Sequence, residues 1–146
     1  MRIPRSVVGF LAAVAAVASI TLIPPGAAAA DVTHVRDFLG TWVGHGDDLT
    51  LVKISKSGKS ITVRVWGSCG DERCYVGEFP AQRFATSVQD GSRGTLALKG
   101  QRTPSFATVT YLFTLRDGDL FMQQMYDYNA GDSRQDSYEE FLLHRK

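Results

Sequence analysis

The chain has 146 residues, 16 basic and 15 acidic side chains, a formal net charge of +1 and 44% hydrophobic residues. Charge this close to balance, with both signs scattered, argues against the basic surface that nucleic-acid binding needs. The length allows no more than one ordinary domain beyond any targeting segment.

The first thirty residues stand apart. Arg2 and Arg5 precede an uncharged apolar run from Val7 to Ile23, which ends at Pro24 and Pro25 and is followed by "GAAAA". This order is that of a secretory signal peptide cleaved after Ala30, leaving Asp31 as the new N-terminus. The alternative is an uncleaved membrane anchor, since the run approaches the roughly 20 apolar residues a spanning helix needs. No cysteine lies near the cleavage point, so there is nothing there to acylate. Cleavage leaves 146 minus 30, or 116 residues, as one domain able to bury its own core. It removes two arginines and no acids, so the mature charge is 14 minus 15, or −1. The expectation is a secreted or periplasmic protein, monomeric, with no membrane contact once the signal is gone.

Residues 31–39, "DVTHVRDFL", fit one or two helical turns, with Val35, Phe38 and Leu39 on one side. Beyond Gly40 the pattern is all-β: short runs rich in β-branched and aromatic residues alternate with turn signals. Strands are expected at 40–44, 49–55, 60–69, 74–84, 94–100, 107–115, 120–129 and 137–145. Gly58 supplies a positive φ for the second hairpin, and Asp117-Gly118 is the strongest two-residue hairpin signal. Pro80 falls inside the fourth strand, which predicts a bulge, a bend or an edge. The eight short strands, joined in order by turns, predict an antiparallel up-and-down β-barrel whose closure removes its edges. Such a barrel is either filled by side chains or holds one small ligand.

Cys69 and Cys74 are the only cysteines, and "GDER" between them reads as a four-residue turn. Residues flanking such a turn face each other within disulfide range, and export favours oxidation. A redox pair would have two intervening residues rather than four. Zinc would need further ligands, and His34, His45 and His144 show no paired spacing. No metal or other cofactor is expected.

Strand alternation sets the candidate binding residues. In the third strand either Ile61, Val63 and Val65 or Thr62, Arg64 and Trp66 face inward. In the sixth, Val109, Tyr111, Phe113 and Leu115 form the expected interior. The seventh is undecided between Leu120, Met122, Gln124, Tyr126 and Tyr128 on one face and Phe121, Gln123, Met125 and Asp127 on the other. Trp66, Tyr111, Gln124 and Tyr126 together suit a mostly apolar pocket with a few polar groups. Alternatively, Tyr126, Asp127 and Tyr128 make a surface patch for a protein partner.

Catalytic signals are thin. No Gly-x-Ser-x-Gly, phosphate loop or His-Glu-x-x-His occurs. Adjacent Glu139 and Glu140 must point to opposite faces, so they cannot act as a pair. The chain is expected not to be an enzyme, a hydrolase using Glu78 being the minor alternative.

"FLGTWVG", Phe38 to Gly44, resembles the Gly-x-Trp segment that opens the first strand of lipocalins, other calycin barrels and avidin-like barrels. The resemblance implies that Trp42 closes one barrel end, packed against a basic residue near the last strand, Arg145 or else Lys146. This chain is shorter than lipocalins, and its cysteine pair is local. "VRVWGSCGDERCYVGEF" resembles a Trp-Gly-x-Cys hairpin in uncharacterised exported bacterial proteins, which implies no activity. The expected function is lumenal binding of a small apolar or amphipathic molecule. The competing expectation is an exported protein partner, such as a hydrolase, inhibited through the stapled 69–74 hairpin.

Overall fold

The computed structural model describes residues 33–85 and 94–146. After a single turn of helix, α1 (Val35–Phe38), come β1 (Gly40–Gly44), β2 (Leu51–Ser57), β3 (Ser60–Cys69) and β4 (Glu72–Phe84). They continue as β5 (Ala97–Arg102), β6 (Ala107–Arg116), β7 (Asp119–Tyr128) and β8 (Ser137–Arg145). Each strand pairs antiparallel with the next, and β8 returns to β1 through Trp42↔Arg145, so the sheet is a closed barrel in sequence order. The expected fold is the observed one. Strand limits move by up to three residues where loops hold no sharp turn signal, as at β5, which starts at Ala97 rather than 94. Residues 86–93, between the expected fourth and fifth strands, lie outside the described residues.

Alternation divides each strand between core and surface. The open choice in β3 resolves to Ile61, Val63 and Val65 inside, leaving Arg64 outside. In β6 Val109, Tyr111 and Phe113 are fully buried, as expected. In β7 Leu120, Met122 and Gln124 point inward, and Phe121 on the other face is buried under the Arg116 guanidinium. Each large apolar side chain taken wholly from water contributes roughly 1.5–3 kcal/mol, so this interior is the main source of stability.

Tight turns need residues that tolerate positive φ. Asp117 (φ 52°) and Gly118 (φ 91°) make the expected two-residue hairpin between β6 and β7, the conformation whose twist matches the flanking strands. Gly70 (φ 67°) does the same between β3 and β4, and here the expectation is corrected. The turn is Gly70-Asp71 rather than "GDER", so the ladder runs on to Cys69↔Glu72 and Cys74 pairs with Gly67. The disulfide Cys69–Cys74 is present, but it spans a diagonal, with Cα atoms 5.7 Å apart, instead of linking opposed residues.

The β3–β4 register shifts between Val65 and Trp66, giving a bulge at Val76, not at Pro80. Pro80 pairs with Thr62 on β3, and the β4–β5 ladder begins at the next residue, Ala81↔Gly100. Proline's missing N–H therefore falls at a local edge, one of the three outcomes its position allowed.

One end of the barrel is plugged. Phe38 and Trp42 are fully buried there, and the indole Nε1 donates to the Phe38 carbonyl at 2.9 Å. The Arg145 guanidinium lies 4.3 Å over the Trp42 ring and donates to the carbonyls of Leu39 (2.7 Å) and Asp37 (2.6 Å). In an up-and-down barrel alternate connections share an end. The loops 45–50, 70–71, 103–106 and 129–136 therefore surround the opposite end, the mouth.

Candidate functional site

Midway along the barrel the filling is aromatic. Tyr111, fully buried, stacks on Phe79 (ring centroids 4.5 Å) and lies parallel to Phe113 (6.2 Å). Gly100 makes room for this stack, because a Cβ there would overlap the Phe79 ring. Above it the packing opens into a cavity of about 330 Å³, within the range of small-ligand sites.

The cavity floor and sides are apolar: Val65 from β3, Val76 from the β4 bulge, Met122 from β7 and Phe141 from β8. Polar groups ring it, namely Gln124, Tyr126, Glu139 and Asp48. Gln124 is only 6% exposed; its Nε2 donates to the Tyr126 hydroxyl and, at 3.3 Å, to Glu139 Oε2. Asp48 folds inward against Gly44, whose missing Cβ leaves the space, and its Oδ1 accepts the Thr50 N–H at 2.8 Å.

Arg102 is held just outside this ring. Its side chain crosses Gly77, and its Nε donates to the Tyr111 hydroxyl at 3.2 Å. Burial raises the Tyr111 phenol above its ordinary value, with the Arg102 bond and charge opposing the shift. Burial also raises Tyr126, reinforced by Tyr111 and Glu139. Both phenols therefore stay protonated and neutral across the physiological range.

Of the residues expected to meet a ligand, Trp66, Gln124 and Tyr126 border this cavity and Tyr111 does not. Tyr111 is too deep: its ring is sealed into the aromatic layer below. Trp66 is half-buried, on the opposite face of β3 from Val65, with its ring against Tyr75 (5.3 Å). Tyr126 and Tyr128 share the inner face with rings 5.8 Å apart, while Asp127 faces outward onto a groove that Tyr126 also borders. Glu78 lies on the outer face in an ion pair with Arg64 and does not line the cavity. Among the described residues, no group of three or more His, Cys, Asp or Glu side chains is arranged to hold a metal.

Sequence reasoning missed Asp48, Val76 and Phe141 as cavity residues, and took Glu139 only as half of an impossible pair. Alternation through Glu139, Phe141, Leu143 and Arg145 was the available signal for β8, since Leu143 is core and Arg145 reaches Trp42. Val76 had no such signal, because a bulge displaces the period.

No helix among the described residues is long and apolar enough to cross a membrane, which says nothing of crossing by strands. A disulfide-bonded chain of this kind is compatible with an extracellular or periplasmic location. The closed eight-stranded antiparallel barrel is likewise compatible with a calycin-like fold. No protein-family model, curated protein or solved structure matches the chain.

Proposed function

We propose that this is an exported, calycin-like barrel that binds a small amphipathic molecule at its mouth. The observation that carries this reading is the cavity of about 330 Å³ above the Phe79–Tyr111 layer, apolar at its floor and ringed by Gln124, Tyr126 and Glu139. A barrel serving only as a structural unit gains nothing from a buried glutamine beside an unfilled space, since desolvating an amide costs free energy unless it is fully bonded. Export rests on the Arg2 to Ala30 pattern, and mass spectrometry of protein collected outside the cytoplasm should give an N-terminus at Asp31.

The test is a panel of fatty acids, retinoids, haem and small aromatics, read by tryptophan fluorescence and thermal melting. Trp42 and Trp66 are the two indoles, and only Trp66 borders the cavity. A ligand that shifts emission and raises Tm by mass action supports the reading. A flat panel with melting intact contradicts it.

The competing reading, a protein partner gripped by the stapled hairpin, draws on the exposed tip residues Asp71 and Glu72 and on Tyr75, which is 54% exposed. Alanine at Asp71, Glu72 and Arg73 separates the two: partner capture would be lost, whereas small-molecule binding would persist.

A further inference from the structure

Asp48 and Glu139 both border the cavity, and among the described residues no lysine, arginine or histidine does. From this geometry we infer that the ligand is an organic cation, an amphipathic amine whose ammonium group meets Glu139 and Gln124 while its apolar body rests on Val65, Met122 and Phe141. The inference depends on the cavity being a binding site, as proposed above, and adds the charge of what enters it.

Hydrogen-bonding capacity points the same way. The Gln124 amide, on a side chain only 6% exposed, uses Nε2 to bond the Tyr126 hydroxyl and Glu139 Oε2. Glu139 receives one long bond from Gln124, through Oε2, which leaves acceptor capacity on the carboxylate. The cavity's charged groups are thus acceptors only, and an ammonium group brings three donors with no acceptor of its own. Tyr126 and Phe141 add aromatic rings to the lining, and such rings attract cations.

Arg102 lies outside the lining and bonds the Tyr111 hydroxyl; it keeps its charge, which is felt at Tyr126, and so opposes the two carboxylates without entering the cavity. Farther out, the mouth loops carry Asp47, Asp71, Asp132 and Asp136. Besides Arg102, two arginines at that end are turned onto their own chain: Arg73 Nε donates to the Leu49 carbonyl at 2.6 Å, and Arg134 grips Asp132 at 2.7 and 2.9 Å. The plugged end mixes both signs, with Lys56, Lys59, Arg116 and Arg145 beside Asp37, Asp117 and Asp119. A funnel acidic at its rim and at its neck raises the local concentration of cations.

Three probes with one body and different heads test this: phenylbutylamine, phenylbutanol and phenylbutyrate, titrated calorimetrically into the oxidised protein. The amine should bind about tenfold tighter than the acid, with the alcohol between them, and its advantage should shrink at high salt. Glu139→Gln should reduce that advantage severalfold, whereas Glu140→Gln, on the outer face with Tyr138 and Gln123, should leave it unchanged. If acid and alcohol bind as tightly as the amine, the cavity is a binding site and the cation preference is overturned. If none of the three binds while the melt stays cooperative, both readings fall together.

Discussion

The guanidinium of Arg145 covers the Trp42 indole at 4.3 Å while donating to the carbonyls of Asp37 and Leu39, so one side chain joins the last strand, the first strand and α1. Resemblance to calycin barrels implied this pairing, and the geometry gives its cause. A four-residue helix cannot hold itself, so its terminal carbonyls need an outside donor, and Arg offers two in a rigid fork. Arg145→Lys keeps the charge but loses the fork and should destabilise by about 1 kcal/mol; Arg145→Ala should cost about 2 kcal/mol. Urea unfolding measures both, and equal stability of all three proteins would contradict the role.

Gly100 and Phe79 are a second coupled pair. A methyl group at Gly100 meets the Phe79 ring, which is pinned on its other face by Tyr111. Gly100→Ala should therefore cost about 1–3 kcal/mol by overpacking. Combining it with Phe79→Leu should cost less than the sum of the single changes, a non-additivity readable in a double-mutant cycle. Additive costs would mean that the two sites relax separately.

The disulfide closes a short loop, with a sequence separation of 5, so its chain-entropy contribution is about 2 kcal/mol. Cys69→Ser with Cys74→Ser should lower stability by that order and leave the far-ultraviolet spectrum of the barrel intact. Loss of the fold would show that the staple does more than pin the hairpin.

Nearly all of the fold was legible in the sequence, because the signals that set it are local: alternation in β3 and β6, Asp117-Gly118, Gly58 and the Gly-x-Trp opening. What was not legible depended on register. Whether Cys69 faces Cys74 turns on the number of residues in the hairpin turn, and a positive-φ Gly70 made it two. Tyr111 and Gln124 are direct partners across the β6–β7 hairpin, and what sets them apart is the stacking of Phe79 and Phe113 around the Tyr111 ring, which no single strand encodes. Asp48 reaches the cavity only because Gly44 lacks a Cβ, a relation between a strand and the loop after it.

Alkaline pH should destabilise the barrel. Tyr111 and Tyr126 have folded-state values raised above the ordinary 10.0, chiefly by burial. For a raised group the stabilisation is fully present below the unfolded value and is lost as pH rises from it through the folded value. Stability should thus be insensitive to these groups below about pH 9 and fall above about pH 10. Tyr111→Phe with Tyr126→Phe should flatten that fall, as seen in urea midpoints collected alongside tyrosinate absorbance. An unchanged alkaline slope in the double variant would assign the loss to other groups.

The most direct test of a ligand-binding mouth is to fill it. Val76→Trp places a large ring in the space bordered by Met122, Gln124 and Phe141, on a strand whose bulge already leaves Val76 half-buried. Calorimetry of wild type and variant with phenylbutylamine should show binding by the first and at least a tenfold weaker signal from the second, both melting cooperatively. Equal binding by the filled barrel would place the ligand elsewhere and contradict the account.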